Sequence, residues 1–386
     1  MERTDIIIVN LGYAEHAGEP EDQAAYGKRP DGGPAGSIGG RSGGRNSEDR
    51  TRGPGIARLL RQQEAGVDWI PVGDFAPRER LKAHAAAFGL AFDPAAAEAA
   101  PHLDDHPWAG AFREARAHLA ALPVPVMLGP YTFAKRASRV PAGEALERLA
   151  PVYAAALREL EAAGAEWVQI EEPELARPVP PKHWPHIMRT WRAMHDAAPR
   201  LRLMLQPTPG APEDIGRLLE LPVAGIGLDF TADGGRALRD VAMRGFPSDR
   251  MLGAGIIDGR SFWRADLRSA CELLERLRSL VPKVRLALQP TCSLAHAPAA
   301  PRKGRVPHGL PRHALATADV KLGELRVLRA ALLEGREAVK LDLADSDVTQ
   351  DILRALLPAP MPDGDASAGR SPGQAREHAA VEPHAS

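Results

Sequence analysis

The sequence predicts an α/β fold, and within that class a single (β/α)8 barrel of TIM type carrying disordered insertions and a disordered tail. Three observations lead there. Eight short β-type runs recur along the chain, amphipathic stretches at helical spacing lie between them, and α/β barrels exceed 250 residues as single domains, which accommodates most of the 386 residues here. Strand alternating with helix argues for a parallel sheet. A doubly wound open sheet is the structural alternative.

The first run covers residues 6–9 (IIIV) and ends at Asn10. The second is Trp69–Val72, followed by Gly73 and Asp74. Runs at 124–128, 167–170, 201–205, 226–228, 252–257 and 284–288 complete the set. Between the third and fourth, residues 143–163 place Leu146, Leu149, Tyr153, Ala156, Leu157 and Leu160 on one helical face. Between the seventh and eighth, residues 261–280 do the same with Phe262, Leu267, Ala270, Leu273, Leu274 and Leu277.

Three stretches break the pattern. Residues 14–55 are dominated by Gly, Pro, Ser, Arg and Glu, with Gly32-Gly33, Gly39-Gly40 and Gly43-Gly44 pairs, and have too little apolar surface to bury. Residues 298–311 (PAAPRKGRVPHGLP) share that character, and both read as flexible Gly/Pro-rich insertions in a barrel domain spanning 1–357. Residues 358–386 read as a disordered tail.

Composition excludes several classes of function. Lys and Arg total 49 against 50 Asp and Glu, so no basic field exists to gather phosphates and a dedicated nucleic-acid binder is not expected. No apolar run approaches the roughly 18 residues of a membrane span. The four-residue apolar run after Asp5 is too short for the core of a signal peptide. Two cysteines make no disulfide framework and point to a reducing compartment. A cytoplasmic, membrane-free protein is the expectation.

In a barrel, chemistry sits where strands end and βα loops begin. That rule nominates residues 10–13, Asp74, Tyr131, Thr132, Glu171, Glu172, Gln206, Thr208, Asp229, Asp258, Gln289 and Cys292. The substrate-binding set taken from these is Asp74, Tyr131, Thr132, Glu171, Glu172, Asp229, Asp258 and Cys292. Asp74 serves equally well as a helix cap. The adjacent carboxylates of Glu171 and Glu172 either end a strand or grip a substrate ammonium. Cys292 reads as a mouth residue or an inert buried thiol, and Cys271 as core. His183 and His186 stand at helical i,i+3 spacing without a nearby carboxylate in sequence, and His102 and His106 frame Asp104-Asp105 in a weak metal pattern. No phosphate-binding loop, nucleophile elbow or His-Glu-x-x-His motif is present, and the glycines at 32–44 do not join a strand to a helix. No catalytic residue and no metal site is assigned.

Six ordered segments resemble a known family. They are Leu11-Gly12-Tyr13; GVDWIPVGDF at 66–75; Leu128-Gly129-Pro130-Tyr131-Thr132-Phe133; GAEWVQIEEP at 164–173; GIIDGRSFWR at 255–264; and Pro290-Thr291-Cys292-Ser293-Leu294. Together, over about residues 5–355, they are similar to the N-terminal half of cobalamin-independent methionine synthase. The resemblance implies two face-to-face barrels. The C-terminal one holds a zinc ion that binds homocysteine as thiolate, and 5-methyltetrahydropteroyl-polyglutamate supplies the methyl group for methionine biosynthesis. It implies for this chain a methyltransferase polypeptide on the folate side, partnered by a zinc-bearing barrel of the C-terminal type. A non-catalytic barrel that binds a folate or amino-acid ligand, or braces a partner, is the alternative; a third reading keeps the barrel and changes the reaction.

The chain departs from the family pattern at places that matter. Zinc would need His-x-Cys, Glu and Cys ligands after strands five, six and eight; Gln206-Pro207-Thr208, Asp229 and Cys292 stand there instead, which do not make a catalytic site. The family's Arg-Ile-Gly…Arg-Glu-Leu-Lys segment is replaced by AEHAGEP at 14–20, and its basic-aromatic stretch leaves only Pro107-Trp108 and two histidines near 101–110. Both losses fall on folate contacts. A compensated frameshift in a GC-rich gene would also leave family-like sequence interrupted by Gly/Arg/Pro-rich text, and could end a two-barrel chain early; divergence of a standalone homologue is the competing account.

Overall fold

The computed structural model describes residues 6–11, 54–73, 81, 84, 85, 88, 106–138, 140–294 and 314–356. The two Gly/Pro-rich insertions (apart from Pro54 and Gly55), the tail and Asp74 lie outside these residues.

Eight strands follow in order: β1 (Ile6–Ile8), β2 (Trp69–Val72), β3 (Leu122–Leu128), β4 (Trp167–Glu171), β5 (Arg202–Gln206), β6 (Gly225–Asp229), β7 (Met251–Ile257) and β8 (Arg285–Pro290). Described helices on the outside are α1 (Pro54–Glu64), α2 (Pro107–Arg116), α3 (Pro130–Ala137), α4 (Ala142–Ala162), α5 (Trp184–Ala197) and α6 (Ile215–Leu219). They continue with α7 (Arg236–Arg244), α8 (Leu267–Leu280), α9 (Ala318–Glu334) and α10 (Lys340–Leu356).

All strand pairs are parallel, in the order β1-β8-β7-β6-β5-β4-β3-β2. The ring closes between β2 and β1 by a parallel bridge of Val9 with Trp69. The Asn10 amide donates to the Trp69 carbonyl at 3.3 Å and the Asp68 amide to the Ile8 carbonyl at 2.9 Å. Closure removes the doubly wound alternative, because β1 neighbours both the second and the last strand. No described helix is long and apolar enough to cross a membrane.

Strand periodicity divides the apolar residues in two. One set, including Ile8, Ile70, Val168, Leu205, Leu228 and Leu288, packs against the helices, with Leu146, Tyr153, Leu157 and Trp191 among its partners. The alternate set, with Val9, Trp69, Val124, Trp167, Met204, Met251 and Ala287, fills the barrel axis. The Trp69 and Trp167 rings meet there at 4.7 Å. The guanidinium of Arg202 covers Trp167 at 5.4 Å from the ring centre.

The helix expected over 261–280 is shorter than its periodicity implies. It starts at Leu267 because the Asp266 carboxylate accepts the Ser269 amide at 3.0 Å and caps the first turn. Residues 261–266 instead run as a connection, in which Trp263 bridges Leu315 and Phe262 remains exposed. Cys271 is buried on α8, as a core residue.

Candidate functional site

Above the tryptophan layer the barrel axis becomes polar. Gln169, Gln206 and Gln289 point inward from β4, β5 and β8, each fully buried. Gln206 Nε2 donates to Gln169 Oε1 at 3.2 Å and to Gln289 Oε1 at 3.1 Å, while Gln289 Nε2 returns a bond to Gln206 Oε1 at 2.9 Å. Gln169 Nε2 donates to the Asn10 carbonyl at 3.1 Å. Gly227 and Gly253 supply the space: a Cβ on Gly253 would stand 2.6 Å from Gln289 Oε1. Gln206, one of the strand-end residues nominated from sequence, is therefore part of the barrel's filling.

The next layer out is the mouth. Asp229 ends β6, buried, and both its oxygens are taken. Oδ2 accepts the Gly210 amide at 2.9 Å. Oδ1 accepts the Thr231 amide at 2.9 Å, its hydroxyl at 2.8 Å and the Ala232 amide at 3.1 Å. The carboxylate thus ties the loop after β5, which carries a cis Thr208–Pro209 bond, to the loop after β6. Asp229→Ala leaves three backbone amides without their acceptor. It is expected to lower unfolding free energy by about 2–4 kcal/mol in a urea titration, with Asp258→Ala costing about 1 kcal/mol or less.

Asp258, after β7, is half-buried. Its Oδ1 accepts the Arg260 amide at 2.9 Å and the Arg260 Nε at 3.3 Å, with the Thr291 hydroxyl at 3.4 Å. Burial opposes ionisation, but the bonds and charge of Arg260, with Lys321, hold the carboxyl below its usual range. Cys292 sits beside it. Burial, with the nearby charge of Asp258, pushes the thiol up to about 12, against the pull of Arg260; Glu171 and Asp229 add to the rise. Cys292 is therefore a neutral thiol at physiological pH. Glu171, Asp229, Asp258 and Cys292 come together in this way around one mouth.

Glu172, Tyr131 and Thr132 form a separate group, behind the mouth. The buried Glu172 carboxylate accepts the Tyr131 amide at 2.8 Å and the Thr132 amide at 2.6 Å. It therefore occupies the N-terminus of α3, where free amides and the helix dipole favour an anion. Gly129 makes this possible, since a Cβ there would collide with the Glu172 side chain. Burial nonetheless pushes Glu172 up to about 7, against the hydrogen bonds from Thr132 and Tyr131. The Tyr131 hydroxyl pairs with His183 Nδ1 at 3.0 Å, and burial, with Glu172 and Glu174, raises that phenol to about 12. Burial and the cations Lys135, Lys182 and His186 hold His183 below its usual value. Glu171 and Glu172 are thus not twin mouth carboxylates as expected: Glu171 ends β4 near Cys292, while Glu172, one residue beyond the strand, gives both oxygens to the first turn of α3.

Two of the histidines singled out in the sequence meet carboxylates, while His102, Asp104 and Asp105 lie outside the described residues. His106 Nδ1 meets Glu159 at 2.7 Å and His186 Nδ1 meets Glu147 at 3.3 Å, partners that sequence proximity did not reveal. Among the described residues, no three His, Cys, Asp or Glu side chains come together as metal ligands. The positions where the family's zinc ligands would stand do not fit zinc: Gln206 is locked in the amide layer and Asp229 has spent both oxygens on loop donors, which leaves Cys292 alone among them as a ligand.

Sequence reasoning passed over Lys321, Glu324 and Arg260. Lys321 and Glu324 lie on the buried face of α9 with Leu322, Leu325 and Leu328. A lysine and a glutamate inside that apolar stripe were the available signal.

Residues 92–282 match the family model described as the N-terminal domain of cobalamin-independent synthase. The chain is 32% identical over 332 residues to the 5-methyltetrahydropteroyltriglutamate–homocysteine methyltransferase of Listeria monocytogenes serotype 4b, covering 75% of this chain and 43% of that protein. It is 33% identical over 346 residues to the enzyme of the same name from Halalkalibacterium halodurans, covering 78% and 45%. The chain thus spans less than half the length of these relatives. Among solved structures, a B12-independent methionine synthase from Shewanella sp. W3-18-1, in complex with selenomethionine, shares the fold at a TM-score of 0.52 and 14% identity, over 75% of this chain and 87% of that one.

Proposed function

Since the chain belongs to the cobalamin-independent methionine synthase family and matches its N-terminal domain, we propose that it is the folate-side part of a methionine-synthase-type methyltransferase, acting with a zinc-bearing barrel of the C-terminal type. The observation that carries this is the extent of the match: three quarters of the chain align with less than half of each relative. The relatives are named for methyl transfer from 5-methyltetrahydropteroyltriglutamate to homocysteine, and the same donor and acceptor are proposed here. In that reaction the methyl–nitrogen bond of the donor breaks as a methyl–sulfur bond forms, and alignment of the two reactants is the protein's main contribution. The described residues of this chain hold no fitting zinc site, so no step of the chemistry is assigned to them. Their part is to present ordered loops at the mouth, with Glu171, Asp258 and Cys292 as candidate ligand contacts. Asp74 joins them as a candidate from sequence.

The internal engagement of Asp229 and Glu172 favours a second reading, a barrel that braces a partner without touching substrate. Reconstitution separates the two. The chain is assayed for methionine formation from 5-methyltetrahydropteroyltriglutamate and homocysteine, alone and with a zinc-loaded C-terminal-type barrel. No turnover alone and restored turnover in the mixture is the expected result. If Asp258→Ala leaves the restored rate and the donor KM unchanged, the bracing role stands; if the mixture forms no methionine, the proposal fails.

A further inference from the structure

Helix α10 carries an apolar stripe on each of two sides. The side toward the barrel buries Leu343, Ser346, Thr349 and Leu353. Polar bonds fasten it to α8 and the connection before it. The Ser346 hydroxyl accepts the Leu267 amide at 3.0 Å, Gln350 Nε2 donates to the Arg264 carbonyl at 3.2 Å, and Asp347 pairs with Arg268 at 2.6 Å. The side turned away carries Leu341, Ala344, Val348, Ile352 and Ala355, at helical spacings of three and four residues. Leu341 and Val348 are 79% and 58% exposed, and with Leu356 at 47% they make up half of the large apolar side chains exposed among the described residues. An outer stripe with more aliphatic side chains than the buried side of the same helix is not accounted for by packing on the barrel.

One edge of that stripe is charged in a self-complementary order. Lys340 and Asp351 are eleven residues apart, close to three whole turns, so they stand on the same edge. Glu337 pairs with Lys340 at one end, and Asp351 with Arg354 at 2.7 Å at the other, all four exposed enough to share their charges with a neighbour. A copy of the helix laid antiparallel, with the two-fold axis between residues 345 and 346, sets Lys340 against Asp351 and Glu337 against Arg354, each pair twice. The same register seats Leu341 between Val348 and Ile352 of the facing helix. It also brings Ala344 of both copies to the axis, where a small side chain lets the backbones approach. Asp345, on the other edge near the axis, is already neutralised by Arg264 at 2.7 Å. A parallel copy would face this edge with the opposite one, and none of the four pairs would form.

We propose that α10 is a docking surface for a second copy of this chain, which forms an isologous dimer through an antiparallel contact of α10 with its copy. One helix from each subunit makes a small interface, in the class of weak and reversible associations. The contact lies on the outer flank beside α8 and leaves the barrel mouth open, so it stands independently of the methyl-transfer reading.

Sedimentation velocity of the full chain over about 1–200 µM tests it, with a Kd of about 10–100 µM expected for the wild-type dimer. Val348→Asp, at an exposed position, is expected to weaken the dimer by about tenfold or more while thermal unfolding stays unchanged. Charge reversal reads the register. Lys340→Asp and Asp351→Lys each place like charges across the axis, and each alone is expected to associate about tenfold more weakly than wild type. An equal mixture of the two restores attraction in both central pairs and is expected to dimerise as wild type does. A wild-type chain that stays monomeric over the range, a Val348→Asp chain that dimerises like wild type, or a mixture that associates no better than its components would overturn the proposal.

Discussion

Replacing Gly227 by Ala is expected to destabilise the barrel by about 4 kcal/mol, enough to lower its melting temperature by roughly 10 °C. An added Cβ would land within the Gln206 amide, and 2.7 Å from Gln289 Nε2. Gln206 has no free rotamer to retreat into, because its amide exchanges three hydrogen bonds with Gln169 and Gln289. Relief by rotation would strand buried donors and acceptors, and relief by strand movement would open the β5–β6 ladder. Gly323→Ala makes the matched comparison. An added Cβ there meets nothing within 4 Å in α9, and helix propensity alone should stabilise the chain by about 0.5–1 kcal/mol. Thermal and urea unfolding of both variants measure the contrast. A Gly227→Ala protein as stable as wild type would mean the amide layer is not fixed.

The second large effect is a dependence of stability on pH set by Glu172. In the folded barrel this carboxyl keeps its proton to about pH 7, whereas its ordinary value is 4.5. Between those values the native state holds a proton that the unfolded chain has released, so unfolding free energy falls as pH rises. The contribution is intact below about 4.5 and lost by the time pH has passed about 7, a difference of about 3 kcal/mol. Urea unfolding at pH 5 and pH 8 reads it directly. Glu172→Gln carries a fixed cost from placing an amide against two backbone donors, but that cost does not vary with pH. The variant should therefore show a shallower fall between the two pH values. An identical fall in variant and wild type would assign it to other groups.

The barrel was legible because its strands are nearly continuous apolar runs and its helices carry clear stripes. All eight strand positions follow from that pattern. What periodicity could not supply was the use made of polar side chains. Asp229 at the end of β6 and Glu172 just past β4 look alike in sequence, yet each reaches backbone amides of another loop or helix. The amides that Glu172 accepts lie 40 and 41 residues earlier in the chain. Phe262 falls on the same stripe as Leu267 and Ala270, but the Asp266 cap overrides it by starting the helix only at Leu267. Lys321 was legible in principle, as a charge within a buried stripe. Its partners, two carbonyls about 60 residues earlier, were not.

The described ring is continuous through seven laddered pairings, and its eighth joint, between β1 and β2, rests on one bridge. Asp68 reinforces that joint, accepting the Ile8 amide at 2.7 Å and Arg329 Nη1 at 2.6 Å. Arg329 belongs to α9, 261 residues further along. During synthesis the first two strands are therefore made long before the guanidinium that clamps them, and an emerging chain has open sheet edges until β8 is made. The clamp ties the first two strands to one of the later helices, and parts of the barrel far apart in sequence hold together as one cooperative unit.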